Sequence, residues 1–260
     1  MTMHTVRRGS GRPLVLVPGV GADSGTWRFV LDGLCAEREV IMLDLPGMGR
    51  SPMFDGEVTV ARYAEELESH LRATGLETAD LAGSSLGARL VLEMARRGLG
   101  RSTVALDPGG FWSAGQRRVF GATLSATVHL VRALRPALPA LLATPVGRTP
   151  LLAQFSARPW AVPADFALSE VRGIADSPGS LPSLHALANG PDQEGAPAGT
   201  LPGPMLIVWG KQDRVTLPSQ AKRAQQLFPD ARIELFDSCG HFPHWDQPER
   251  TVRTVLAATA

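Results

Sequence analysis

Four short, mostly apolar runs, each stopped abruptly by turn residues, constrain this chain most. Leu14-Val15-Leu16-Val17 stops at Pro18-Gly19, and Val40-Ile41-Met42-Leu43 stops at Asp44. Asp80-Leu81-Ala82 stops at Gly83, and Val104-Ala105-Leu106 stops at Asp107-Pro108. Between them, residues 59–73 and 86–98 carry apolar positions at helical spacing, as in Leu86, Leu90 and Met94. A strand apolar along its whole length is buried on both faces. Helices alternating with such strands supply the cover, so the pattern predicts an α/β fold: a mostly parallel sheet with helices on both faces.

After Pro108 the rhythm lapses. Residues 111–200 hold no strand run and read as helices broken by prolines and glycines, ending in a Pro/Gly-rich connection over 190–204. The strand rhythm returns at Met205-Leu206-Ile207-Val208-Trp209, followed by a helix near 218–228. Arg232-Ile233-Glu234-Leu235-Phe236 is the next strand, and a last helix runs from about 247 to the end. The expected organisation is one core domain, 1–110 with 201–260, carrying a helical insertion over 111–200.

Charge and cysteine content narrow the function classes. The formal net charge is +1 and the arginines cluster only in pairs such as Arg7-Arg8 and Arg96-Arg97, so neither nucleic acid nor a membrane surface is expected as a partner. Cys35 and Cys239 are the only cysteines, too few and too far apart for a disulfide framework or a metal-ligand cluster. The longest mostly apolar region, 119–143, is interrupted by His129, Arg132, Arg135, Pro136 and Pro139 and does not read as a membrane span. Met1 to Pro13 is polar and basic with no signal-peptide core. A cytoplasmic protein, monomeric or homodimeric, is the expectation.

The chemistry concentrates where strands end. Gly83-Ser84-Ser85-Leu86-Gly87 fits G-x-S-x-G between a strand and a helix, the setting of a nucleophile elbow, which makes Ser85 the candidate nucleophile. A serine hydroxyl needs a base held in one tautomer. Gly240-His241-Phe242-Pro243 follows the last strand and supplies His241 as that base. Asp213, just past the penultimate strand, is the preferred acid; Asp107, ahead of a Pro108-Gly109-Gly110 turn, is its competitor. His244 is expected to pack rather than react. For the oxyanion, the candidate donors are the backbone N–H groups of Leu86 and of Val20, in Pro18-Gly19-Val20-Gly21.

With these segments in order, the chain resembles the α/β-hydrolase superfamily, in its serine-nucleophile branch with a helical cap. Asp44-Leu45-Pro46-Gly47-Met48-Gly49-Arg50-Ser51 also matches, as a structural loop near the site. The chain departs from the usual pattern after the elbow, where Ala88 and Arg89 stand in place of a second glycine. The resemblance implies a Ser85–Asp213–His241 triad with no metal and no organic cofactor. Dehalogenases and epoxide hydrolases of the superfamily place an aspartate on the elbow, which Ser85 argues against. Carboxylic ester hydrolysis ranks first, ahead of thioesterase, C–C hydrolase, lyase or cyclase chemistry. Phe111, Trp112, Phe155 and Trp160 are the aromatic candidates for a pocket taking a small to medium hydrophobic substrate.

Overall fold

The computed structural model describes residues 3–260. Seven strands form one sheet: β1 (Thr5–Gly9), β2 (Arg12–Val17), β3 (Arg38–Leu43), β4 (Asp80–Ser84), β5 (Thr103–Leu106), β6 (Met205–Gly210) and β7 (Arg232–Phe236). Their spatial order is β1-β3-β2-β4-β5-β6-β7. Only β1 runs antiparallel to its neighbour, pairing with β3 from Thr5↔Leu43 to Gly9↔Glu39; the other pairings are parallel.

Helices α1 (Arg28–Cys35), α2 (Val60–Ala73) and α3 (Leu86–Arg96) lie within the first five strands' span of sequence. Between β5 and β6 come α4 (Ala114–Ala133), α5 (Leu138–Ala143), α6 (Pro145–Leu152), α7 (Ala164–Asp176) and α8 (Ser180–Asn189). The chain ends with α9 (Ala221–Leu227), α10 (Pro243–Asp246) and α11 (Pro248–Ala258). No helix among the described residues is long and apolar enough to cross a membrane.

Successive side chains on a strand point to opposite faces, and β2 uses both. Val15 and Val17 join one core with Leu67 of α2 and Leu90 of α3. Leu14 and Leu16 join another with Val30 and Leu34 of α1 and Val255 of α11. Each such side chain contributes about 2 kcal/mol relative to exposure, so register is fixed from both sides. Helix starts are capped locally: Thr59 Oγ1 accepts from Arg62 N at 3.1 Å ahead of α2, and Ser113 and Gln116 form a reciprocal capping box ahead of α4.

Apolar runs mark the parallel strands other than β7, whose Arg-Ile-Glu-Leu-Phe alternates, and β1 escapes that test too. Its sequence Thr-Val-Arg-Arg-Gly has no apolar run, because an edge strand exposed along its outer half does not need one. Within α4 the buried positions are Phe120, Leu124, Val128 and Val131, whereas Leu130 is 52% exposed. The consequence of the architecture is a common edge: β4, β5, β6 and β7 run parallel, and the residues that follow them meet above the sheet.

Candidate active site

Ser85 stands between β4 and α3 with φ 56° and ψ −112°. A non-glycine residue with positive φ is strained, and such strain persists only where surrounding structure imposes it. Here the constraint is packing: a Cβ on Gly87 would collide with the Val17 carbonyl oxygen, so α3 starts hard against β2. Hydrogen bonds pin the turn on both sides, Ser85 N donating to Leu106 O at 3.0 Å and Arg89 N to Ser85 O at 3.1 Å. The loop after β2 presses on the same residue. A Cβ built on Gly19 would sit 3.1 Å from Ser85 Cβ and 3.7 Å from Ser85 Oγ, so glycine is what allows this approach. Among the described residues neither Val20 N–H nor Leu86 N–H has a protein acceptor, the latter being an orphan donor of the first turn of α3.

Asp213 lies in the turn after β6, its own N–H bonded to Gly210 O at 3.1 Å. One carboxylate oxygen accepts from Val215 N at 2.7 Å and Thr216 N at 3.1 Å. The other accepts from Thr216 Oγ1 at 2.7 Å and faces His241 Nδ1 at 2.9 Å. Both residues are buried. That contact selects the tautomer with hydrogen on Nδ1, leaving Nε2 to accept a proton.

The His241 loop is held by the segment between α6 and α7. His241 N donates to Phe155 O at 2.8 Å, and Gly240 N to Asp246 Oδ2 at 2.7 Å. The second oxygen of Asp246 accepts from Ser156 Oγ at 2.5 Å, while Ala157 N reaches Oδ2 at 2.8 Å. One buried carboxylate thus ties the base loop to the segment after α6.

Ser85 and His241 line one cavity, whose other walls are almost wholly apolar. The three chemical groups come from three loops on a shared sheet edge. The alpha/beta hydrolase family model matches residues 14–254, which takes in every one of them. The chain belongs to the alpha/beta hydrolase family.

Relatives within and around that family differ in chemistry. The chain is 28% identical over 252 residues to the dihydrolipoyllysine-residue acetyltransferase component of the acetoin cleaving system of Pseudomonas putida, covering 95% of this chain and 63% of that one. It therefore spans less than two thirds of that relative's length. It is 28% identical over 219 residues to the epoxide hydrolase EphH of Mycobacterium tuberculosis, covering 76% of this chain and 93% of the relative. A thermophilic esterase from Thermogutta terrifontis superposes with a TM-score of 0.76 at 21% identity, covering 98% of this chain and 92% of that one, a likeness of fold alone.

The hydrolase cavity corrects the expected pocket. Phe155 lines it, but Phe111, Trp112 and Trp160 do not. Phe111 is buried edge-on against Trp209 and Phe228, at ring separations of 6.0 and 6.3 Å. Trp112 stacks on Phe120 at 4.5 Å and anchors the start of α4. Trp160 is 53% exposed and faces solvent. The walls come instead from one stripe of α4 (Phe120, Leu124, Val128), from Leu184 and Leu187 of α8, and from Ile174. The signal was in the sequence: 120, 124 and 128 recur at intervals of four, one face of a helix.

Three other polar groups stand close by. Asp107 follows β5 with φ 48°, fully buried, its Oδ1 accepting from Gly210 N at 2.8 Å. His244 is buried against Trp27 at 4.5 Å, and burial drives its imidazole down to about 3, so it stays neutral. Arg89 donates to Pro191 O at 2.6 Å, tying α3 to the connection before β6; burial lowers its guanidinium to about 10. Asp107, Asp213 and His241 are the one trio among the described residues with metal-ligand proximity. The donor set fits a hydrogen-bond relay instead, since N–H and O–H groups already occupy the lone pairs of Asp213.

Proposed function

We propose that the protein is a serine hydrolase that cleaves a carboxylic ester of a small to medium hydrophobic substrate through an acyl-enzyme on Ser85. The observation that carries this reading is the His241 Nδ1–Asp213 contact of 2.9 Å at the wall of an apolar cavity that Ser85 also lines. His241 Nε2 takes the Ser85 proton as Oγ attacks the ester carbonyl, then returns it to the departing alcohol. Water follows the same route in reverse, and Asp213 stabilises the imidazolium in both halves. The N–H groups of Val20 and Leu86 take the oxyanion, and the dipole of α3 adds to them.

The inserted helices act as a cap. They line the cavity with carbon, so substrate selection rests on apolar fit; among the described residues Thr127 is the only polar wall residue besides Ser85 and His241. The epoxide hydrolase relative marks the main competing chemistry. Opening an epoxide to an alkyl-enzyme ester requires a carboxylate on the elbow, and this chain carries a hydroxyl there.

A fluorophosphonate probe with adduct mapping by mass spectrometry tests the reading. Labelling at Ser85, lost in Ser85→Ala, is expected, with turnover of p-nitrophenyl esters. An intact, folded protein that neither labels nor turns over any ester would overturn it.

A further inference from the structure

Asp107 and Asp213 follow neighbouring parallel strands, whose pairing ends at Leu106↔Val208, so both side chains rise above the same edge. One carboxyl oxygen of each and one ring nitrogen of His241 all lie within 4.8 Å of one another. Asp107 is fully buried and holds a positive φ of 48°, a conformation that costs energy for any residue with a side chain. Its hydrogen-bond needs are half met. Oδ1 accepts from Gly210 N at 2.8 Å, while Oδ2 has no protein donor. Thr216 Oγ1, the hydroxyl that also serves Asp213, lies 3.2 Å from the Asp107 carbonyl.

No ion pair to a lysine or arginine is recorded for either carboxyl among the described residues, so two adjacent buried negative charges are not sustainable. Burial, reinforced by the charge of Asp213, holds the Asp107 carboxyl well above the usual carboxylate range. Asp213 has four donors around it and Asp107 has one, so the proton resides on Asp107. A simple turn aspartate would face solvent or cap local N–H groups; this one lies close to both Asp213 and the base.

We propose that Asp107 is a second acid of this site, a positioning residue able to support His241 when the Asp213 carboxylate is lost. The inference rests on the hydrolase reading for its kinetic arm only. With Asp213 intact, Asp107 adds a neutral hydroxyl beside the ion pair. With Asp213 replaced by the amide, the like charge that kept Asp107 protonated is gone, and the remaining carboxyl faces the imidazole.

The test compares wild type, Asp213→Asn and Asp107→Asn/Asp213→Asn. Loss of the acid in a triad costs roughly 10⁴-fold in kcat where nothing substitutes for it. Asp213→Asn is expected to lose about 10²-fold, with the ascending acid limb of its pH profile displaced to higher pH because Asp107 must first ionise, and the double variant about 10-fold or more beyond that. A double variant as active as Asp213→Asn, or an Asp213→Asn pH profile superimposable on wild type, would overturn the proposal. The low-field proton resonance of His241 Nδ1–H supplies a readout independent of turnover. It is expected to persist in Asp213→Asn at alkaline pH and to vanish in the double variant; its absence from Asp213→Asn at every pH overturns the proposal even if no ester is ever turned over. Near-UV circular dichroism checks that each variant is folded, and the pH profile of Asp213→Asn alone decides the matter if the double variant is not.

Discussion

Thr26 Oγ1 and Glu170 Oε2 form a buried hydrogen bond of 3.1 Å across the seam between α7 and the sheet half of the molecule. Trp245 Nε1 reaches the same hydroxyl at 3.2 Å and His244 Nε2 stands 3.5 Å from it. Burial pushes the Glu170 carboxyl from 4.5 up to about 8 and holds His244 at about 3 instead of 6.5. Between 4.5 and 8 the folded chain keeps a proton on Glu170 that the unfolded chain has released, so this residue lowers stability as pH rises. His244 does the converse, lowering stability as pH falls from 6.5 toward 3.

From these two groups, stability is level between about 4.5 and 6.5 and declines on either side. On the alkaline side the expected loss is on the order of 2 kcal/mol between pH 6.5 and 8, from about 1.4 kcal/mol per pH unit. Glu170→Gln removes that slope. Urea unfolding of both proteins at the two pH values measures it, and parallel losses in wild type and variant would mean that Glu170 is already ionised.

Asp246 invites a paired substitution. Its Oδ2 serves Gly240 N and Ala157 N, while Oδ1 faces Ser156 Oγ, a group that can accept as well as donate. An amide fits this pattern with its oxygen at the Oδ2 position and its nitrogen toward Ser156. Asp246→Asn is therefore expected to cost about 1 kcal/mol or less. Asp246→Ala strands the N–H donors beside His241, at about 2–4 kcal/mol and roughly 10-fold in kcat. Thermal melts and single-turnover rates distinguish the two; equal damage from both would point to the charge, not the hydrogen-bond pattern.

The parallel strands, and the strand-end loops that carry Ser85, Asp213 and His241, were readable because each loop sits where a local signal ends: a strand run, then a turn. Ser85, Asp213 and His241 follow strands recognised from composition alone. The pocket was not readable in the same way. Aromatic bulk singles out Phe111, Trp112 and Trp160, yet bulk does not say which way a side chain points. Trp112 packs under α4 and Trp160 faces water, while the wall is the stripe Phe120, Leu124 and Val128. Strand β1, the links of Asp246 to Ser156 and Ala157, and the link of Glu170 to Thr26 depend on contacts across long sequence separations, for which no local pattern exists.

Val128 faces the cavity from α4, so Val128→Phe fills space that a longer acyl chain needs. The kcat/KM for p-nitrophenyl octanoate is expected to fall about 10- to 100-fold, with the acetate within a few-fold of wild type. Trp160→Ala, on the exposed surface, is expected to leave both within about 2-fold. A chain-length profile unmoved by Val128→Phe would place the acyl group elsewhere.

The elbow itself predicts a trade of stability against chemistry. Ser85 holds φ 56° and ψ −112° because α3 must begin against β2, and a residue with a Cβ in such a region carries about 1–3 kcal/mol of strain. Glycine adopts the same angles without that penalty, at the cost of about 0.5–1 kcal/mol in unfolded-chain entropy. Ser85→Gly is therefore expected to abolish ester turnover while raising stability by about 1 kcal/mol, or roughly 2–4 °C in Tm. Ser85→Ala, equally inactive, keeps its Cβ and the strain, so its Tm should stay below that of the glycine variant. Calorimetry of the three proteins settles the order, and a glycine variant melting below the alanine one would mean that the turn is not strained.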